Sequence, residues 1–342
     1  MTPYRGRHAG SIDNGTLRVT VLAGGGHIAE IRDLATGVNP LWTPPWPSIE
    51  PDTYDPARHP EYGGSAESSL LSGIMGHNLC LDIFGGPSAE EAAAGLPVHG
   101  ETSVAAFDVG IRDGVLHMHT VLPASQLRVE RQLRLDGRTL HIVEAVENLT
   151  AADRPVGWTE HVTLGPPFLE DGTRVHVPAD RSLVYAGEVG PADYLDPGVE
   201  FTWPQAPRRG GGTADLRGYP GAASSSAYTA QRIDPALDEG SFIAFSPSAG
   251  MAFGYAWRRA DFPWLGRWEE NRARAAAPWN RVTRTLGLEF GVSPVPETRR
   301  DMIARGRLFD TPAFRWIPAR GRVEVRYRAV LQPAAAMPES LG

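Results

Sequence analysis

The chain has 342 residues, 42% hydrophobic and 21% charged, which excludes a disordered polymer and allows a large buried core. Its formal net charge of −7 argues against nucleic acid as a partner, because phosphate binding needs a clustered positive field. All 33 basic residues are arginine, so Schiff-base and P-loop lysine chemistry are excluded, and the single cysteine, Cys80, excludes an intrachain disulfide and a Cys-rich metal site.

No stretch approaches the roughly 18 apolar residues of a membrane span, and "MTPYRGRHAGS" lacks the apolar core of a signal peptide. A cytoplasmic location away from membranes is the resulting expectation, with a small molecule as partner and a monomer or homodimer as assembly.

Along the chain, "GTLRVTVLAGGGHIAEIRD" alternates apolar and polar residues on both sides of three glycines and predicts a hairpin. "HNLCLD" comes next, with His77, Leu79 and Leu81 on one face if extended. "SAEEAAAG" predicts a short helix with Ser88 as its N-cap. "SVAAFDVGIRDGVLHMHTVLP" and "QLRVERQLRLDGRTLHIVEAVENLT" predict hairpins turning at Asp113-Gly114 and Asp136-Gly137. His117 and His119 share a strand face, a spacing met at metal sites but commoner on a solvated strand.

Further strands are predicted at "VGWTEHVTLG", "TRVHVPA", "SFIAFSPSAGMAFGYAWR", "VTRTLGLEFGVSP" and "GRVEVRYRAVLQ", and a second short helix after Pro296. Two irregular stretches interrupt the pattern. Asn39 to Gly64 is rich in proline and aromatics and predicts an ordered functional loop, whereas Pro204 to Ser226 predicts a flexible Gly/Ser-rich insertion. With 38 glycines and 30 prolines as punctuation, the whole predicts an all-β fold: a large antiparallel β-sandwich with few short helices, residues 1–342 forming one domain.

The order of these segments resembles the aldose 1-epimerase (galactose mutarotase-like) superfamily. The opening hairpin is similar to the family's first hairpin. "LPVHGE" is similar to its first histidine segment, "VENLTAADRPVGWTEHVTLG" to its second, and "LGLEFGVSP" to the strand carrying its glutamate. Glu101 stands where that family commonly has glycine, and the residues after the second histidine, "VTLGPPFLEDG", depart from the family's pattern too, which marks a divergent branch.

The resemblance implies an isomerase acting on a small-molecule carbohydrate, with no cofactor. It assigns Glu289 as base and His161 as acid in mutarotation. Alternation supports both placements: Leu286, Leu288 and Phe290 oppose Gly287, Glu289 and Gly291, and Trp158, Glu160 and Val162 oppose Thr159, His161 and Thr163. The same resemblance makes His99 a sugar ligand, with Glu101 on its face if the segment is extended. His77, Arg267 and Trp268 complete the expected substrate contacts, the last two from "PWLGRWEENR". Other readings stay open. One is a lyase or hydrolase on a modified sugar, metal-assisted if His77, His99, Glu101 and His161 converge. Another is a non-catalytic carbohydrate-binding protein.

Overall fold

Two antiparallel sheets, one of twelve strands and one of eight, face each other across a shared apolar layer in the computed structural model. The model describes residues 2–221 and 223–341. The larger sheet runs through the hairpin strands Leu17–Leu22 and Ile28–Asp33 to His77–Asp82, Arg154–Leu164, Arg284–Gly291, Trp264–Asn271 and Ser225–Ile233. The smaller contains Glu239–Ser246, Met251–Arg258, Arg322–Pro333, Thr139–Asn148, Leu127–Asp136 and Val115–Leu122. The all-β expectation holds, and no described helix is long and apolar enough to cross a membrane.

Period-two alternation builds the core. Leu79, Leu81, Trp158, Val162, Leu286, Leu288 and Phe290 point from the larger sheet toward the smaller. Phe290 stacks on Trp257 of the opposing sheet at 4.2 Å and 8°.

A polar cluster sits inside this apolar layer. Arg131 pairs with Glu144 and lies 3.1 Å from Glu160, which also accepts from the Tyr327 hydroxyl at 2.9 Å. His77 joins it, 2.7 Å from Glu160 and 2.9 Å from the Tyr255 hydroxyl. Burial pushes the Glu144 carboxyl up to about 8, although Arg131 opposes the shift.

Turn chemistry agrees closely with the sequence. Asp113 and Gly114 take φ of 52° and 75°, the left-handed pair a two-residue hairpin needs. In the next hairpin Asp136 still pairs with Thr139, so the turn is Gly137-Arg138, one residue later than expected. Ser88 caps the helix Ala89–Ala93 in a capping box with Glu91, and Thr298 caps Arg299–Arg305.

Alternation did not reveal the helix Ser68–Gly73 or the strands Arg7–Asp13, Ser225–Ile233 and Trp264–Asn271. The last three are almost wholly buried or carry polar residues inward, so their pattern blurs. The Pro204–Ser226 stretch, expected as a flexible Gly/Ser-rich insertion, contains a small ribbon, Gln205–Pro207 paired with Thr213–Asp215, and its end opens a strand of the larger sheet.

Candidate functional site

The outer face of the larger sheet carries one row of residues at matched register on four neighbouring strands: Asn78, His161, Glu289 and Gly266. His161 and Glu289 therefore stand side by side, with His161 Nε2 3.1 Å from Glu289 Oε1. They are 6% and 2% exposed. Alignment falls short of a hydrogen bond, and Glu289 Oε1 has no hydrogen-bond partner. The second imidazole nitrogen of His161 meets the Thr163 hydroxyl at 3.1 Å.

Two glycines, Gly287 and Gly291, flank Glu289 on its own face of the strand, and a strand glycine leaves space above the sheet. The space is filled by the site's own groups. A Cβ on Gly287 would lie 2.3 Å from Glu289 Oε1, and one on Gly291 would lie 2.6 Å from the Thr159 hydroxyl. Gly266 in turn makes room for the Tyr228 hydroxyl, 2.1 Å from where its Cβ would be. These glycines permit the carboxyl and the phenol to lie flat against the sheet.

His99 arrives from a loop. Its φ is 65°, and Gly100 follows at 80° with no room for a side chain, because a Cβ there would lie 1.9 Å from the Leu81 carbonyl. The His99 backbone N–H donates to the Gly85 carbonyl and its Nδ1 to the Phe84 carbonyl. That bond fixes the tautomer, leaving Nε2 as an acceptor. The His99 and His161 rings are 5.4 Å apart.

His99, His161, Glu289, Trp268, Tyr228 and Arg274 line a pocket of about 260 Å³. This is just under the roughly 300 Å³ lower bound for drug-sized ligands, so it suits one small ring. Trp42 and Trp279 form its apolar side, stacked at 6.2 Å, and Trp46 packs edge-on against both from behind. Trp42 and Trp46 come from the proline-rich stretch expected to be an ordered functional loop.

Burial dominates the electrostatics. It pushes the Glu289 carboxyl well above the usual carboxylate range and holds His161 well below the usual histidine value. His99 is lowered by burial too. Both shifts favour the uncharged forms, a carboxylic acid beside a neutral imidazole.

Three expected contacts lie elsewhere. Glu101 is not on the face of His99, because the left-handed Gly100 turns the chain into the 3-10 turn Glu101–Ser103. Its carboxylate accepts from the backbone N–H groups of Ala124 and Ser125, at 3.0 and 2.6 Å. His77 shares the inward face of Leu79 and Leu81 and belongs to the core polar cluster. Arg267 neighbours Trp268 on a strand and so faces the other way, donating to Glu269 at 3.0 Å and to the Gly218 carbonyl. With His77 and Glu101 removed, the four-residue metal set does not converge, and no metal-holding group of three or more such side chains occurs among the described residues.

Sequence reasoning missed Tyr228, Arg274 and Trp279. No sequence signal pointed to Tyr228, because neither its own strand nor that of Gly266, which makes room for its hydroxyl, alternates cleanly.

No family profile and no curated protein matches the sequence. Solved structures do match in fold. A provisionally named aldose 1-epimerase from Klebsiella pneumoniae is similar over 98% of this chain and 82% of its own, with a TM-score of 0.68 at 13% identity. A galactose mutarotase-like protein from Clostridium acetobutylicum is similar over 97% of each chain, with a TM-score of 0.61 at 13% identity. A galactose mutarotase related enzyme from Lactobacillus acidophilus covers 97% of this chain and 100% of its own, with a TM-score of 0.57 at 12% identity. The chain therefore has the galactose mutarotase-like β-sandwich fold.

Proposed function

We propose that this protein is a carbohydrate isomerase that interconverts the anomers of an aldose by proton transfer through Glu289 and His161. One observation carries the reading: a buried carboxyl oxygen without a partner lies 3.1 Å from an imidazole at the floor of a one-ring pocket. The fold shared with structures named for aldose 1-epimerases supports it.

Mutarotation takes the proton from the anomeric hydroxyl and gives one to the ring oxygen. The ring opens, the C1–C2 bond rotates, and closure on the other face reverses both transfers. Glu289 takes the first proton in this scheme and His161 gives the second. With a closed sugar the pair is carboxylate and imidazolium; with the open aldehyde it is carboxylic acid and neutral imidazole. Both states hold one proton, so no exchange with solvent is needed. The neutral pair favoured by burial corresponds to the open-chain state. Each group contributes roughly 10²–10⁴-fold.

His99 Nε2 accepts a sugar hydroxyl in this arrangement, and the Trp268 ring packs against the C–H surface of the sugar. The test is mutarotation of α-anomers of common hexoses and pentoses, followed by polarimetry or NMR. Catalysed equilibration is expected; sugar binding without acceleration would make the protein a carbohydrate binder instead.

A further inference from the structure

A second cavity, of about 410 Å³, adjoins the pocket that holds His161 and Glu289, and Glu67, Arg274 and Trp279 line both. The partition is an ion pair. Arg274 Nη1 lies 3.2 Å from Glu67 Oε2, and its guanidinium sits 4.8 Å over the Trp279 ring and 5.7 Å over Trp268. It also donates to the Val189 carbonyl at 3.2 Å. The outer cavity is walled by small residues, including Gly64, Pro191 and Ala276.

We propose that this outer cavity is a second sugar subsite, so that the substrate is a reducing disaccharide or longer oligosaccharide. The anomeric ring occupies the inner pocket and the next unit crosses the Glu67–Arg274 pair. The proposal rests on the anomer-interconverting reading above. The inner pocket takes one ring, and a substituent leaving it toward Glu67 enters space already present. A carboxylate beside a guanidinium offers acceptors and donors together, which matches sugar hydroxyls, each both donor and acceptor. An anionic occupant such as a phosphate fits poorly, because Arg274 already faces both Glu67 and Glu270, the latter at 3.6 Å. The glycosidic bond takes no part, and the reducing unit alone opens and closes.

The experiment compares kcat/KM for mutarotation of maltose, cellobiose and lactose with that of glucose and galactose. Wild type is measured beside Gly64→Trp and Ala276→Trp, which fill the outer cavity. Gly64 tolerates the change, because a Cβ there meets no atom within 4 Å. The expected result is a kcat/KM about tenfold higher for the best disaccharide than for its own reducing-end sugar, equivalent to roughly 1.4 kcal/mol. In each folded variant, the disaccharide-to-monosaccharide ratio should fall toward one. No disaccharide preference, or a ratio unmoved by either variant, overturns the second subsite. Monosaccharide turnover in that case leaves the isomerase reading standing; no acceleration with either sugar class removes both.

Discussion

His161 and Glu289 occupy directly opposed positions on two neighbouring antiparallel strands, and their side chains approach to 3.1 Å on the outer face of the larger sheet. Register alone makes this pair: Thr159 meets Gly291 and Thr163 meets Gly287 on the same face. Burial of both groups then sets their protonation, which gives the site its pH behaviour.

The acid limb of the mutarotation rate should lie below the ordinary histidine value and the alkaline limb above the ordinary carboxylate value. Activity needs one proton on the pair. On the acid side it is lost when His161 also protonates, which burial delays to below the ordinary histidine value of 6.5. On the alkaline side it is lost when Glu289 gives up its proton, which burial delays to well above 4.5. A kcat/KM profile over pH 4 to 10 checks this, and an acid limb centred at or above 6.5 would contradict it.

Glu289→Gln should stabilise the fold at alkaline pH. The folded-state pKa of Glu289 is raised above its unfolded value, so its protonated form favours folding at low pH. That contribution is lost as pH rises through the folded pKa. Glutamine stays neutral throughout. Thermal melts should therefore show a Tm advantage for the variant at pH 9 that shrinks toward pH 4; an advantage independent of pH would refute the assignment.

Glu101→Ala should destabilise without touching the sugar site. It leaves the buried N–H of Ser125 and the half-buried N–H of Ala124 without their acceptor, at a cost of about 1–3 kcal/mol. Chemical denaturation measures the loss, while KM for the sugar should stay at the wild-type value. A raised KM with unchanged stability would return Glu101 to the pocket.

Arg131→Met should be costlier still. It strands Glu144 and Glu160 in the core without their shared cation, a change worth about 3–5 kcal/mol. The double variant that also replaces Glu144 with leucine should recover part of this in the same denaturation experiment.

The legible and illegible parts of the site divide along one physical line. Alternation has a period of two, so it placed His161 and Glu289 on the outer face from their neighbours alone. The same rule, carried through, puts His77 inside with Leu79 and Leu81, and it forbids Arg267 and Trp268 from facing one pocket. The Arg267 expectation set family resemblance above strand geometry, and the His77 expectation was not held to its own strand's face. Glu101 failed for a different reason: Gly100 adopts a left-handed backbone, which breaks the extended register on which its placement relied. Tyr228 reaches the pocket from a strand distant in sequence, and Arg274 and Trp279 from the irregular stretch between Trp264–Asn271 and Arg284–Gly291, where no periodicity places a side chain. The two-sheet architecture was readable because most strands alternate cleanly, whereas the nearly uniformly buried Ser225–Ile233 and Trp264–Asn271 strands did not.

The proposed proton transfer by Glu289 in sugar ring opening is read by mutarotation of an α-aldose with wild type and Glu289→Gln. With the best substrate found, the expected result is acceleration by wild type and a loss of roughly 10²-fold or more in kcat for a variant that remains folded. Equal rates for the two proteins, or no acceleration by wild type on any hexose, pentose or disaccharide, would contradict it.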